Sequence, residues 1–314
     1  MASKAKNPAK FKKGKKLCRK CGVYKPFTSE FFHVQNRREC GLHSNCKSCT
    51  NAYSAKYRSK FTLEVLVAYS RSTVPSCICC GESDASFLCI DHINGGGTQE
   101  IKKFNGLYYL LLHLKNSGYP KGYQVLCHNC NNSKSTGEKC VHKRESLFKF
   151  LFSNEYKKRK SSRKPNLSTV IIGRTDVKMC SGCLEVKPAT FEYFTKQKNG
   201  LYGLKSDCKS CYSEYRHQYV KETRYKALVH FSLTDAPECL CCGESELEFL
   251  CIDHIEGGGK QHRKEMGGGN HQISSVNGFL KMIKDPDKDK YQILCWNCNF
   301  SKHKNGECSH KQKN

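Results

Sequence analysis

Cysteine spacing constrains the fold of this chain more than any other feature of its sequence. Sixteen of the 23 cysteines fall into eight Cys-x-x-Cys pairs, four in each half of the 314 residues. The pairs are Cys18/Cys21, Cys46/Cys49, Cys77/Cys80, Cys127/Cys130, Cys180/Cys183, Cys208/Cys211, Cys239/Cys242 and Cys295/Cys298. The first three pairs recur after 162 residues and the fourth after 168. One unit is therefore written twice, which indicates a tandem duplication because a solenoid needs about three copies or more.

Two such pairs, bent into knuckles, supply the four thiolates of a tetrahedral zinc site. In each half we pair the first knuckle with the second and the third with the fourth, which predicts about four structural Zn²⁺ ions. Only 38% of the residues are hydrophobic, and small modules with little apolar surface use metal binding to fold. Disulfides or redox pairs are the alternative; the basic composition and the lack of a secretory signal favour an intracellular, reducing location instead.

Two further cysteine motifs are duplicated outside these pairs. They read Cys140-Val-His142 and Cys308-Ser-His310. Two roles stay open for them: replacing a knuckle cysteine in a predicted site, or building an additional metal site. Cys40 has no cysteine counterpart in the second half, which indicates a structural or free thiol.

The charge balance points to a polyanionic partner. The chain has 54 Lys and Arg against 28 Asp and Glu, a formal net charge of +26. Such an excess is unusual for a metabolic enzyme and typical of nucleic-acid binding, where basic side chains neutralise phosphates. The longest mostly apolar run, residues 107–114, is too short to span a bilayer, so we expect no membrane partner. Basic runs near residues 4–16 and 157–164 fit either solvated segments or arms along a phosphate backbone.

In each half, the first two knuckles form a predicted zinc ribbon, and a helix is predicted directly after it. Tyr53, Tyr57 and Phe61 recur at helical spacing with basic residues between them. We expect these aromatic side chains to pack on the zinc ribbon rather than stack on bases.

The second knuckle set of each half encloses residues that a purely structural ribbon does not need. The first half carries Asp91-His92 before a triple glycine, then Asn131 and Lys134 after the last knuckle. The second half repeats this set as Asp253, His254, Asn299 and Lys302. Carboxylate and amide oxygens suit Mg²⁺, and an adjacent imidazole can take a proton from an attacking water. Both copies retain Asp, His and Asn, which disfavours a non-catalytic hairpin.

The order Cys-x-x-Cys, Asp-His, Leu-Cys-x-x-Cys-Asn closely resembles the HNH nucleases, in particular the branch of the phage recombination endonuclease VII. The resemblance implies an α+β fold of small zinc-stabilised modules: two zinc ribbons and two ββα-metal modules in tandem. It implies that Asp91 and Asn131 bind catalytic Mg²⁺ or Mn²⁺ and that His92 is the general base. In the second copy these roles fall to Asp253, Asn299 and His254. Gln124 and Gln292 are loose candidates for the middle Asn of the family name.

This resemblance and the repeat together divide the chain into six segments. They are a basic tail (1–16), a zinc ribbon (17–60), a first HNH module (61–142), a basic linker (143–178), a second zinc ribbon (179–222) and a second HNH module (223–314). The function expected is divalent-metal-dependent hydrolysis of phosphodiester bonds in DNA, duplex or branched. The alternative is a non-enzymatic zinc-ribbon protein that binds nucleic acid; a zinc scaffold between proteins would leave the charge unexplained.

The two copies differ after the triple glycine. The second has His262-Arg263, candidates for phosphate binding, where the first has Glu100-Ile101. A carboxylate there would repel the substrate and cannot replace Arg, so the second site is expected to be faster. Lys134 and Lys302 either stabilise charge on the phosphate or face solvent. Two modules would let one chain act as a monomeric pseudo-dimer, with homodimerisation as the alternative, in a host cytoplasm if the chain is viral or in a nucleus.

Overall fold

The chain has a mixed α+β fold built from small sheets. The computed structural model describes residues 11–70, 72–137, 139–146, 176–234, 236–259, 261–262 and 276–312. Most of the predicted tail and linker, and Arg263, lie outside these residues. The chain divides into two compact units, residues 1–78 with 90–125 and residues 79–89 with 126–314. Segments of both sequence repeats thus belong to the second unit.

The first repeat contains seven short strands and four helices among its described residues. They are β1 (Phe11–Lys12), β2 (Lys15–Leu17), β3 (Tyr24–Pro26), β4 (Phe32–Val34), β5 (Leu42–Cys46), α1 (Lys47–Ser70), β6 (Leu88–His92), α2 (Gly97–Lys103), α3 (Leu107–Asn116), β7 (Tyr123–Cys127) and α4 (His128–Gly137). The strands form the sheets β1-β2-β3, β4-β5 and β6-β7. A single 3₁₀ turn, Val141–Lys143, follows α4.

The second repeat copies this order. It contains β8 (Val177–Met179), β9 (Val186–Pro188), β10 (Phe194–Lys196), β11 (Leu204–Cys208), α5 (Lys209–Phe231), β12 (Leu250–His254), α6 (Val276–Ile283), β13 (Tyr291–Cys295), α7 (Trp296–Asn305) and α8 (Ser309–Gln312). The sheets β8-β9, β10-β11 and β12-β13 are antiparallel hairpins.

A buried lysine supports each ribbon. Lys16 donates to Leu42 O at 2.8 Å and lies 5.4 Å from the ring centroid of Phe32. Lys178 lies 4.7 Å from the ring centroid of Phe194, the equivalent contact in the second repeat. Burial lowers the pKa of Lys178. Each ammonium is held by a ring face and polar acceptors, which offsets the cost of burying a charge.

Cys40 is part of this arrangement in the first ribbon. Its sulfur accepts a hydrogen bond from Lys16 Nζ at 3.0 Å. This ammonium lowers the pKa of Cys40. The thiol without a counterpart in the second repeat therefore has a local structural role.

The long helix after each ribbon packs through its second half. In α1 the buried residues are Phe61, Val65, Leu66 and Tyr69, spaced as one helical face. Tyr53 and Tyr57 are 68% and 55% exposed, so the prediction that they pack on the ribbon is wrong for both. They lie in the first half of the helix, which the core does not reach. The predicted boundaries at residues 60 and 222 fall inside α1 and α5.

Within the second unit, the first turns of α4 and α7 hold each other. The amide of Asn129 donates to Asn297 Oδ1 at 3.0 Å, and the amide of Asn297 donates to Asn129 Oδ1 at 3.0 Å. Both residues are buried. First-turn amides have no acceptor inside their own helix, so each asparagine caps the helix of the other repeat.

A buried charge cluster joins the repeats beside these helices. Arg144 forms a bidentate pair with Glu248, whose side chain is 2% exposed. Ser133 Oγ donates to the same carboxylate at 3.2 Å. The Glu248 carboxylate raises the pKa of Arg144. This ion pair ties the segment after α4 to the residues before β12.

Candidate metal centres and hairpin site

Each of three predicted four-cysteine groups lies wholly within one of the two units: one group in the first unit and two in the second. In each, the four sulfurs lie within 4.8 Å of one another. The groups are Cys18/Cys21/Cys46/Cys49, Cys180/Cys183/Cys208/Cys211 and Cys239/Cys242/Cys295/Cys298. Their donor set and spacing can hold zinc tetrahedrally.

Local hydrogen bonds prepare the ribbon cysteines for a metal. Burial opposes ionisation of Cys46, but hydrogen bonds to its sulfur, with Ser48 Oγ at 3.1 Å the strongest, lower its pKa to about 6. Cys208 and Ser210 repeat this contact at 3.2 Å, and the pKa of Cys208 is also lowered to about 6. Because the thiolate is the metal ligand, these contacts favour the zinc-binding form at Cys46 and Cys208, whereas the hydrogen bond with Cys46 raises the pKa of Cys49 to about 12.

The fourth predicted group, with Cys77, is divided between the two units. Cys80, Cys127 and Cys130 belong to the second unit, and Cys77 belongs to the first. Cys80 Sγ lies 3.8 Å from Cys127 Sγ, as the equivalent Cys242 and Cys295 sulfurs do.

The hairpin β12–β13 positions the predicted carboxylate of the second repeat. Its register pairs Asp253 with Gln292, and Gln292 Nε2 donates to Asp253 Oδ2 at 2.8 Å. Lys302, from α7, donates to the same oxygen at 2.7 Å. Lys302 also donates to His254 O at 3.1 Å and to Ile255 O at 2.8 Å. The ammonium thus closes the end of the hairpin and pairs with the carboxylate.

The histidine that follows lies among different residues. Successive strand residues point to opposite faces, and His254 Nε2 lies 2.9 Å from His262 Nδ1. Tyr291 donates to Asp285 at 2.8 Å, and His262 Nε2 lies 4.0 Å from Asp285 Oδ2. Lys290, together with the Tyr291 hydroxyl, lowers the pKa of Asp285 to about 2. A chain of polar groups therefore runs from His254 to an ionised carboxylate.

The first repeat uses a shorter chain. His92 Nε2 contacts Glu100 Oε2 directly, and Tyr123 donates to Glu100 Oε1 at 2.9 Å. Burial and the Glu100 carboxylate raise the pKa of Tyr123 to about 12, which keeps its hydroxyl a donor. Gln124 Nε2 donates to Asp91 Oδ2 at 2.7 Å, as Gln292 does in the second repeat.

The third glycine of each Gly-Gly-Gly lies directly against the histidine. A Cβ at Gly97 would lie 2.7 Å from His92 Nδ1, and a Cβ at Gly259 would lie 3.0 Å from His254 Nδ1. Neither space admits a methyl group without movement of the ring. Close approach to the imidazole thus requires the third glycine, whereas the first two are favoured by their positive φ.

The remaining predicted residues lie as follows. Asn299 Nδ2 donates to Cys251 Sγ at 3.1 Å. Cys251 lies two positions before Asp253 on the same strand, so both side chains are on the same face of the sheet. Asn131 and Lys134 lie on α4 in the second unit, whereas Asp91 and His92 lie in the first. Asp285, Tyr123 and Tyr291 were not predicted; the duplication of the two tyrosines at the 168-residue offset was a usable signal.

Comparisons with family models, with curated proteins and with solved structures gave no match. None of the helices in the described part of the chain is long and apolar enough to cross a membrane.

Proposed function

We propose that the chain is a divalent-metal-dependent endonuclease of the HNH type that hydrolyses DNA phosphodiester bonds. The observation that carries this proposal is the β12–β13 hairpin, where Asp253 and His254 stand side by side, each held by its own polar partners. A four-cysteine group that can hold zinc lies at the other end of the same hairpin. The net charge of +26 supports a polyanionic substrate.

The donor set suits a hard divalent cation. Gln292 and Lys302 both donate to Asp253 Oδ2, and this carboxylate would supply the first oxygen ligand of the cation. Donation by Asn299 Nδ2 to Cys251 fixes that amide, and its Oδ1 would supply the second oxygen ligand. Mg²⁺ or Mn²⁺ held by Asp253 and Asn299 would stabilise negative charge on the phosphodiester.

His254 acts as general base in this proposal. Its Nε2 faces His262, and the imidazole would take the proton from the attacking water. His262 and Asp285 orient the imidazole. Lys302, which lies beside Asp253, would neutralise a phosphate oxygen. In the first repeat Asp91 and His92 take the equivalent roles, with Glu100 on His92 Nε2, whereas Asn131 belongs to the other unit.

The cysteine groups carry structural zinc, and the binding partner is DNA. A chain with 23 cysteines that are kept as thiols or thiolates fits an intracellular, reducing compartment. His262, Lys134, Lys302 and Arg263 contribute to phosphate binding; Arg263 lies outside the described residues.

Plasmid cleavage tests this function. Purified protein with Mg²⁺ or Mn²⁺ should convert supercoiled plasmid to nicked or linear DNA, and EDTA should abolish this without removing zinc. His254→Ala should lose most activity, whereas His303→Ala, the same change at an exposed position of α7, should retain it. DNA binding without any cleavage under these conditions would establish the alternative, a non-enzymatic nucleic-acid-binding protein, which the exposed Tyr53 and Tyr57 favour.

A further inference from the structure

A second group of metal-type ligands adjoins the four-cysteine group of the second repeat. His310 Nδ1 lies 3.3 Å from Cys298 Sγ, 3.6 Å from Cys308 Sγ and 4.0 Å from Cys241 Sγ. Three sulfurs therefore converge on one ring nitrogen. A single imidazole nitrogen makes one hydrogen bond, so hydrogen bonding alone does not explain the convergence.

The first repeat has the same group. His142 Nδ1 lies 3.3 Å from Cys140 Sγ, 3.5 Å from Cys130 Sγ and 3.8 Å from Cys79 Sγ. The four ligand atoms all lie within 4.8 Å of one another. The sequence retains every member of the group in both copies, including the central cysteine of each Cys-x-Cys-Cys knuckle.

The distances match tetrahedral zinc coordination. Zn–S bonds of about 2.3 Å and Zn–N bonds of about 2.0–2.1 Å place sulfur and nitrogen ligands about 3.6 Å apart and two sulfurs about 3.8 Å apart. The six sulfur–nitrogen distances above range from 3.3 to 4.0 Å. Cys242 and Cys295 in the neighbouring group are 3.8 Å apart.

One cysteine belongs to both groups. Cys298 is a member of the four-cysteine group with Cys239, Cys242 and Cys295, and its sulfur is also the sulfur nearest to His310. We propose that the second repeat holds a two-zinc cluster in which the Cys298 thiolate bridges a four-cysteine site and a second site of three cysteines and one histidine, and that Cys79, Cys130, Cys140 and His142 hold the equivalent histidine-bound zinc of the first repeat. The chain then binds six zinc ions, two more than the four ions predicted from the sequence.

Charge balance favours the second ion. A Zn²⁺ bound by the bridging thiolate, a neutral imidazole and two further thiolates, Cys241 and Cys308, adds two positive and two negative charges. The net charge of the cluster stays that of the four-cysteine site alone, so the second ion adds no uncompensated charge to a buried place. Cys298 and Cys308 are both buried.

The second ion also has a structural consequence. It ties the segment that follows α4 or α7 to the knuckle of the same repeat, and these segments contact the other repeat. The His310 ring lies 4.9 Å from that of Phe87, and the His142 ring lies 5.3 Å from that of Phe249. The histidine-bound ions would therefore fix the two segments that follow α4 and α7, each of which contacts a phenylalanine of the other repeat.

Zinc counting by native mass spectrometry on the full chain tests the proposal, independently of any nuclease activity. We expect six ions in the wild-type protein, five in Cys308→Ser, five in Cys140→Ser and four in the double variant. Cys40→Ser, which alters a thiol outside every group, should keep six. Four ions in the wild type, unchanged in both serine variants, would overturn the proposal.

A second measurement covers the case in which a serine variant fails to fold. In wild-type protein loaded with ¹¹³Cd²⁺, the bridging Cys298 thiolate should give scalar coupling between the two metal nuclei of the second-repeat cluster. Uncoupled resonances from four-cysteine sites alone would refute the shared cysteine.

Discussion

The reciprocal asparagine caps between α4 and α7 allow a prediction with a cross-repeat readout. Asn129→Ala removes the acceptor of the Asn297 amide, and Asn297→Ala removes the acceptor of the Asn129 amide. Loss of a helix cap costs about 0.5–2 kcal/mol, and a buried unsatisfied donor costs about 1–3 kcal/mol. Both residues are buried, so we expect about 1–2 kcal/mol for each substitution.

Amide hydrogen exchange measures this effect at single residues. A loss of about 1–2 kcal/mol corresponds to a factor of about 5–30, so the Asn297 amide should exchange about 5- to 30-fold faster in Asn129→Ala. The Asn129 amide should respond equally in Asn297→Ala. Asn305→Ala, an exposed position on α7, is the matched control and should change neither amide. Unchanged exchange at residue 297 in Asn129→Ala would refute the reciprocal capping.

Substitutions at His254, Gly259 and Glu248 test the hairpin site and the ion pair between the repeats. His254→Ala should remove most plasmid cleavage, whereas His92→Ala should leave an enzyme that mainly nicks; equal loss in both variants would contradict the asymmetry between the repeats. Gly259→Ala should displace the His254 ring, because the new Cβ would lie 3.0 Å from Nδ1, and should slow cleavage at unchanged zinc content; wild-type rates would show that the ring position does not matter. Glu248→Gln should cost about 3 kcal/mol of unfolding free energy, because it leaves Arg144 partly buried without its carboxylate. The control, Glu64→Gln at a half-exposed ion pair, should cost less than about 1 kcal/mol. Equal losses of unfolding free energy, measured by denaturant titration at saturating zinc, would contradict this prediction.

The metal groups could be predicted from the sequence because cysteine spacing carries the geometry. A Cys-x-x-Cys knuckle fixes two sulfurs locally, so only the pairing of knuckles had to be chosen. Cys18, Cys21, Cys46 and Cys49 come together as predicted. The α+β character and the helix after each ribbon were also predictable, because they follow from short-range patterns.

Contacts between distant residues could not be predicted in the same way. The sequence suggested that Glu100 would repel the substrate, but the structure places its carboxylate on His92. The exposed aromatic residues of α1 show the same limit: helical spacing identified a face, but not which half of the helix the core would cover. Both outcomes depend on which segments pack together, and that information is not local.

The reciprocal contacts also bear on why the unit is duplicated within one chain. Each repeat supplies the cap for the first turn of the other repeat's helix, and Glu248 of the second accepts from Arg144 and Ser133 of the first. A single repeat alone would leave a helix start without its cap and a buried carboxylate without its partner, both of which are costly. A covalent connection makes the pairing intramolecular and raises the effective concentration of each half for the other. The contacts fix the geometry of the paired segments, so the linker has only to keep the two repeats in one molecule.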